Sequence, residues 1–276
     1  MNNTFNGPEV SKVLFHPRPC QPTPLPTGAT EISISVDENT TIGCRLFIAA
    51  TDAPIIIFFH GNGEIVADYD EIGPQFAKIG LNFLVTDYRG YGWSTGTPSA
   101  DTMLADSHII YAQVKKWLAD NGYDCSIILM GRSLGSACAI ELAAANNEEI
   151  KGIIIESGFA ESMPLLQALG LDPDTLELKE EDGFENKKKI TEVTKPTFIF
   201  HGQFDELIKF EQAEKLQSAC EARGKELQMV PGADHNSVMA KAGPLYFKVL
   251  HDFIDKITGA KDWRKVRKAY RESRRK

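Results

Sequence analysis

Two kinds of apolar patterning follow one another along this chain of 276 residues. Near the start, Ile32, Ile34 and Val36 alternate with polar residues, Asp37-Glu38-Asn39 reads as a turn, and residues 42–48 alternate again. This predicts an antiparallel hairpin, 31–36 with 42–48, at a sheet edge. From Ile55 the runs become continuous: IIIFF, then FLV at 83–85, IILM at 127–130, GIII at 152–155 and TFIF at 197–200, with a last strand at 226–230. Strands without a polar side are buried on both faces, as in a parallel sheet covered by helices. The stretches 64–79, 101–120, 134–146 and 210–223 carry helical spacing and suit βαβ crossovers. The predicted fold class is therefore α/β, a doubly wound, mostly parallel sheet with an N-terminal antiparallel hairpin. Ligands of such sheets sit at the C-terminal ends of the strands, so chemistry is sought directly after each apolar run.

Three segments stand outside this alternation. Residues 16–28 hold Pro17, Pro19, Pro22, Pro24 and Pro26, a density that excludes helix and predicts an extended covering strap without chemistry. Residues 158–195 gather Met163, Leu165, Leu166, Leu169 and Leu171 ahead of an acidic and lysine-rich stretch, which predicts a small helical cap. Its apolar residues either receive an apolar acyl chain or pack on the sheet. Residues 261–276, KDWRKVRKAYRESRRK, follow Gly259, a natural helix stop. The expected organisation is one α/β domain over 1–260, with 158–195 as a cap insertion, and a basic tail over 261–276.

Composition and charge narrow the function classes. With 42% hydrophobic and 25% charged residues the chain can bury a sizeable core. The net charge of −8 hides an asymmetry, because the tail holds nine Lys or Arg against Asp262 and Glu272 and so carries +7, which leaves −15 on residues 1–260. So acidic a body argues against nucleic acid as a partner. Were the tail helical, Trp263, Val266 and Tyr270 would form a narrow apolar stripe on a cationic helix. That stripe fits either weak contact with an anionic membrane surface or a solvated tail that packs Trp263 on the acidic body. Cys20, Cys44, Cys125, Cys138 and Cys220 are odd in number and lack C-x-x-C spacing, so reduced thiols are expected rather than a zinc site or a disulfide framework. The start, MNNTFNGPEVSKVLF, shows no basic-then-apolar leader, and no run approaches about eighteen apolar residues, so a cytoplasmic location is expected. No oligomeric state is implied.

The chemistry centres on 126–145, SIILMGRSLGSACAIELAAA, a strand broken by Gly131-Arg132-Ser133-Leu134-Gly135 and continued as a small-residue helix. A strand turned directly into a helix strains the backbone at Ser133, lifts its hydroxyl clear of the sheet and aims unpaired helix N–H groups beside it. After IIIFF comes His60-Gly61-Asn62-Gly63-Glu64, a glycine-bracketed turn; the N–H groups of Asn62 and Leu134 are the candidate oxyanion donors. His60 reads as a structural hydrogen-bonding residue. After FLV comes Asp87-Tyr88-Arg89-Gly90-Tyr91-Gly92, where Asp87 and Arg89 read either as substrate ligands or, the favoured reading, as a buried ion pair bracing the loop. After TFIF comes His201-Gly202-Gln203-Phe204-Asp205, and after the last strand Asp234-His235. The order Ser133, Asp205, His235 is that of a triad on an α/β sheet. Glu156 ends the other strand able to supply an acid, but Asp205 lies in the stronger motif. His108 and His251 fall within helices, and Asp234 adjoins His235 too closely to orient it.

These residues resemble the α/β-hydrolase superfamily, in particular its small single-domain serine hydrolases, whose marks are a His-Gly-Asn turn, an Asp-Tyr-x-Gly-Tyr-Gly-x-Ser loop, Gly-x-Ser-x-Gly, His-Gly-x-x-Asp and a late His. The likeness runs from about Phe15 to Ile257. It implies Ser133 as nucleophile, His235 as base and Asp205 as orienting acid, and hydrolysis of a small-molecule acyl ester or thioester. That branch also contains membrane-associated protein depalmitoylases with a cysteine-rich N-terminal anchor, from which this chain departs in having only Cys20 near its start. Serine at the elbow argues against dehalogenase or epoxide hydrolase chemistry, which needs a carboxylate there, and no cofactor or metal is called for. The alternatives are a non-catalytic binding protein of the same fold and a peptidase of the same fold.

Overall fold

The computed structural model describes residues 4–259; the basic tail at 261–276 lies outside them. Eight strands form one sheet, β1 (Ala29–Ser35), β2 (Thr41–Phe47), β3 (Ile55–Phe59), β4 (Asn82–Thr86), β5 (Ile127–Arg132), β6 (Gly152–Glu156), β7 (Thr197–Gly202) and β8 (Lys225–Val230), in the order β1-β2-β4-β3-β5-β6-β7-β8. The expected hairpin is β1 with β2, Ile32 opposite Cys44, at one edge; β2 joins β4 antiparallel and every later pairing is parallel.

Continuous apolar runs follow from this placement. Ile55, Ile57 and Phe59 of β3 enter one core layer while Ile56 and Phe58 enter the other. The same division separates Leu129 from Ile128 and Met130 in β5, and Ile199 from Phe198 and Phe200 in β7. Helices Ala100–Asp120, Ser136–Ala145 and Phe210–Ala219 cover the first layer, through residues such as Val114, Ile140 and Leu216. Phe76 of Gly73–Lys78 and Leu250 and Phe253 of Pro244–Thr258 cover the second. Each large apolar side chain so enclosed stabilises by about 1.5–3 kcal/mol, which is why helices are needed on both faces.

Three helical expectations are corrected. The stretch 64–79 is no single helix but a 3-10 turn, Val66–Tyr69, and a short helix, Gly73–Lys78, because Pro74 supplies no N–H and favours the first turn of a new helix. The helix expected at 134–146 begins at Ser136, after a 3-10 turn over Ser133–Gly135. That expected at 210–223 ends at Ala219, where Cys220 turns extended and buries its thiol beside Thr197. An element absent from the sequence reading is helix Pro8–Leu14, whose Val10 and Leu14 are buried. Its signal was there: proline at the first helical position, then Val10, Val13 and Leu14 at spacings of three and four.

Residues 158–195 fold as short pieces, Ser162–Ala168, Asn186–Lys189 and three 3-10 turns. The proline strap is extended, and Pro19 bridges Gly92 in parallel. All five cysteines are unpaired, and no helix among the described residues is long and apolar enough to cross a membrane.

Candidate active site

The turn after β5 does what its glycines imply. Ser133 sits at φ +51°, a left-handed conformation that costs a non-glycine residue on the order of 1–3 kcal/mol and persists only where its surroundings enforce it. A Cβ on Gly135 would lie 2.1 Å from the carbonyl oxygen of Phe59 in β3, and one on Gly131 would lie 2.3 Å from that of Gly135. The helix can therefore start tight against the sheet only with glycine at both positions. Ser136 Oγ donates to the carbonyl of Ser133 at 2.6 Å and steadies the reversal.

The loops after β7 and β8 bring two distant residues to this hydroxyl. His235 Nε2 lies 2.9 Å from Ser133 Oγ across 102 residues of sequence, and His235 Nδ1 lies 2.8 Å from Asp205 Oδ2. Since Nδ1 faces a carboxylate it carries the proton, and Nε2 is left to accept from serine. Asp205 Oδ1 takes the backbone N–H of Leu207 at 3.1 Å and of Ile208 at 2.8 Å. Burial by itself would raise this carboxyl, but hydrogen bonds from His201 and His235 outweigh it and hold Asp205 below the usual carboxylate range.

Asn62 and Leu134 both line the cavity at Ser133. The Asn62 side chain is held from two sides: its Oδ1 accepts from the N–H of His16 at 2.8 Å and from Tyr91 Oη at 2.7 Å. The strap beginning at His16 thus does more than cover, since it grips the turn that carries a candidate oxyanion donor.

The cavity at Ser133 has a volume of about 190 Å³ and is walled by Leu14, Leu134, Leu165, Leu169 and Leu207. A larger hollow of about 450 Å³ shares Leu165 and Leu207 but none of the three polar residues, so geometry and not size marks the site.

Other sequence candidates are placed apart from the hydroxyl. Asp87 and Arg89 do not pair with each other. Asp87 faces His60 Nε2 at 3.1 Å and takes the N–H of Val66, whereas Arg89 reaches Asp106 at 2.6 Å and Asp37 at 2.9 Å. Each instead meets partners that the fold brings from other elements. His60 is fully buried between Asp87 and the carbonyl of Gly61. Glu156 accepts from Tyr246 Oη at 2.5 Å, His108 faces Glu141, His251 faces Asp255, and Asp234 accepts from Ser237. Sequence reasoning passed over Arg132 and His201. A lone cation closing a buried strand was a signal for the first; His201, read as lying beyond a strand, ends up inside β7.

A family model described as serine aminopeptidase, S33, matches residues 51–171. Alpha/beta hydrolase domain-containing protein 17C of Xenopus tropicalis is 30% identical over 225 residues, which cover 79% of this chain and 67% of that protein. Its Mus musculus counterpart is 30% identical over 222 residues, 78% of this chain and 64% of that protein, so the chain spans about two thirds of these relatives. The esterase Pf2001 of Pyrococcus furiosus superposes with a TM-score of 0.70 over 88% of this chain and 98% of its own, at 18% identity, a likeness of fold alone.

Proposed function

This chain belongs to the α/β-hydrolase superfamily, and we propose that within it the protein is a serine hydrolase cleaving carboxylic esters or thioesters through an acyl-enzyme on Ser133. The observation that carries the reading is the chain from Ser133 Oγ through His235 to Asp205, at 2.9 and 2.8 Å, starting from a serine in a strained elbow. His235 takes the serine proton as Oγ attacks the carbonyl carbon, Asp205 fixes the imidazole tautomer and stabilises the imidazolium, and the N–H groups of Asn62 and Leu134 receive the developing oxyanion. The imidazolium then returns its proton to the departing alkoxide or thiolate. Water, deprotonated by the same imidazole, cleaves the acyl-enzyme and restores the serine.

Five leucines around the hydroxyl support an apolar acyl group, and Leu165 and Leu169 give residues 158–195 the part of a cap on this site. Five unpaired cysteines suit a reducing compartment, and a cytoplasmic location belongs to the reading. A pure binding role would leave the strain at Ser133 without a use. Peptidase activity is the second reading, favoured by the description of the family model that matches 51–171.

The test is labelling of the full chain by a fluorophosphonate, beside a panel of esters and thioesters of graded acyl length and of aminoacyl amides. Labelling that vanishes in Ser133→Ala is expected, with turnover of esters and thioesters. A parent protein that no fluorophosphonate labels sinks the reading, and preference for the amides moves it to the peptidase.

A further inference from the structure

The residue beside the nucleophile, Arg132, closes β5 with its side chain 12% exposed, and its guanidinium spends its donors in three directions. Nη1 donates to Glu64 Oε1. Nη2 donates to the backbone carbonyl of His235 at 2.9 Å and to Asn236 Oδ1 at 3.1 Å. Nε faces Glu156 Oε1 at 3.4 Å. The two carboxylates are anchored in turn: Glu64 accepts the N–H of Gly61 at 2.8 Å and Tyr69 Oη at 2.7 Å, and Glu156 accepts Tyr246 Oη.

We infer that Arg132 is a positioning residue of this site: its planar fork ties the turn carrying the Asn62 donor to the backbone of His235. The inference rests on the hydrolase reading for its kinetic consequence, while the geometry it describes does not. Glu64 closes the turn 61–64 on itself through Gly61, and Arg132 holds Glu64. The same guanidinium holds the carbonyl of His235, from whose Cα the imidazole must reach Ser133 and Asp205 together. Gly61 belongs to this arrangement, because a Cβ there would lie 2.8 Å from Arg132 Nη1.

Shape rather than charge is the property used. Guanidinium presents five N–H donors in one rigid plane, enough for Glu64, His235, Asn236 and Glu156 at once. An ammonium in its place keeps the positive charge near the carboxylates, but its three donors radiate from one atom and cannot bridge two loops. A displacement of a catalytic group by roughly 1 Å costs on the order of 10²-fold in rate, so a slackened His235 loop should register in turnover before binding.

The test uses full-length Arg132→Lys with two readouts, kcat and KM on a soluble ester, and the low-field Nδ1 proton of His235 by NMR well below the melting temperature. The expected result is kcat lower by at least about tenfold with KM within about twofold, and a His235 Nδ1 resonance that is broadened or lost. A resonance and a kcat both like the parent's overturn the inference, since a charge that only stabilises the fold is rescued by lysine. Should the parent prove inactive on every ester, loss of the resonance in Arg132→Lys still supports the clamp, its persistence overturns it, and only the hydrolase reading falls with the activity. Should Arg132→Lys not fold, Arg132→Met/Glu64→Gln carries the same test, because it removes a cation together with one of the two carboxylates facing it.

Discussion

His201 and Asp205, four residues apart at the end of β7, meet at 3.3 Å, on the same carboxylate oxygen that His235 Nδ1 approaches at 2.8 Å. His201 Nε2 also lies 2.7 Å from the carbonyl of Ile208, whose N–H reaches the other oxygen of Asp205. One buried carboxylate is thereby held on all sides, and it stays ionised where burial alone would favour the neutral acid.

Loss of that charge should be severe in activity. Asp205→Asn is expected to lower ester turnover by on the order of 10⁴, as removal of the orienting acid does in serine-protease triads. Glu156→Gln, whose wild-type carboxylate bonds Tyr246, should keep turnover within about tenfold and show mainly as a lower Tm. Steady-state kinetics on both variants decide it; a silent Asp205→Asn beside a dead Glu156→Gln would put the triad acid on β6.

The same carboxylate makes stability depend on pH with a definite sign. A group whose pKa is lower in the folded than in the unfolded chain contributes stability that is present above the unfolded value, about 4, and is lost as pH falls toward the folded one. Urea unfolding from pH 7 to pH 3 should show the parent losing stability more steeply than Asp205→Asn below about pH 5. Parallel curves would mean that Asp205 titrates no differently in the two states.

The elbow predicts a steric penalty at a single methyl group. In Gly135→Ala the new Cβ meets backbone rather than a movable side chain, so a loss of at least about 1–3 kcal/mol in unfolding free energy is expected, together with slowed fluorophosphonate labelling. A variant with parental Tm and labelling rate would show that the helix can retreat from β3 at no cost.

Residues 261–276 are expected to be dispensable for the chemistry. Their deletion should leave hydrolysis of a soluble ester unchanged and, if the sixteen residues touch membranes, remove binding to anionic vesicles that weakens with salt, since such attraction is screened over roughly 8 Å at physiological ionic strength. Full-length protein that ignores anionic vesicles at low salt leaves only the solvated-tail reading.

Much of the architecture was legible one residue at a time. Whether a strand is buried on one face or two is a local property of the chain, because side chains alternate; Ile32, Ile34 and Val36 therefore announced an edge hairpin, and IIIFF a strand buried on both sides. The elbow was legible for the same reason: strand, Gly-x-Ser-x-Gly and helix are contiguous, so the demand for glycine at 131 and 135 is written where it is felt. The order of Ser133, Asp205 and His235 could be read too, because the ends of successive parallel strands gather at one rim of the sheet.

Partnership among the other buried polar groups was not legible, since it depends on which side chains the completed sheet brings within about 3 Å and on which donors burial then forces to find an acceptor. Asp87 and Arg89 stand two residues apart and were read as a pair, yet each turned to a partner from a different element. Arg132 binds residues 68 and 103 positions away, and the proline strap places His16 on Asn62 across 46. Local pattern determined which backbone elements form and where their ends gather. Only tertiary packing decided how the buried charges and donors among them were matched, because a group taken out of water must bond whatever the fold has placed beside it.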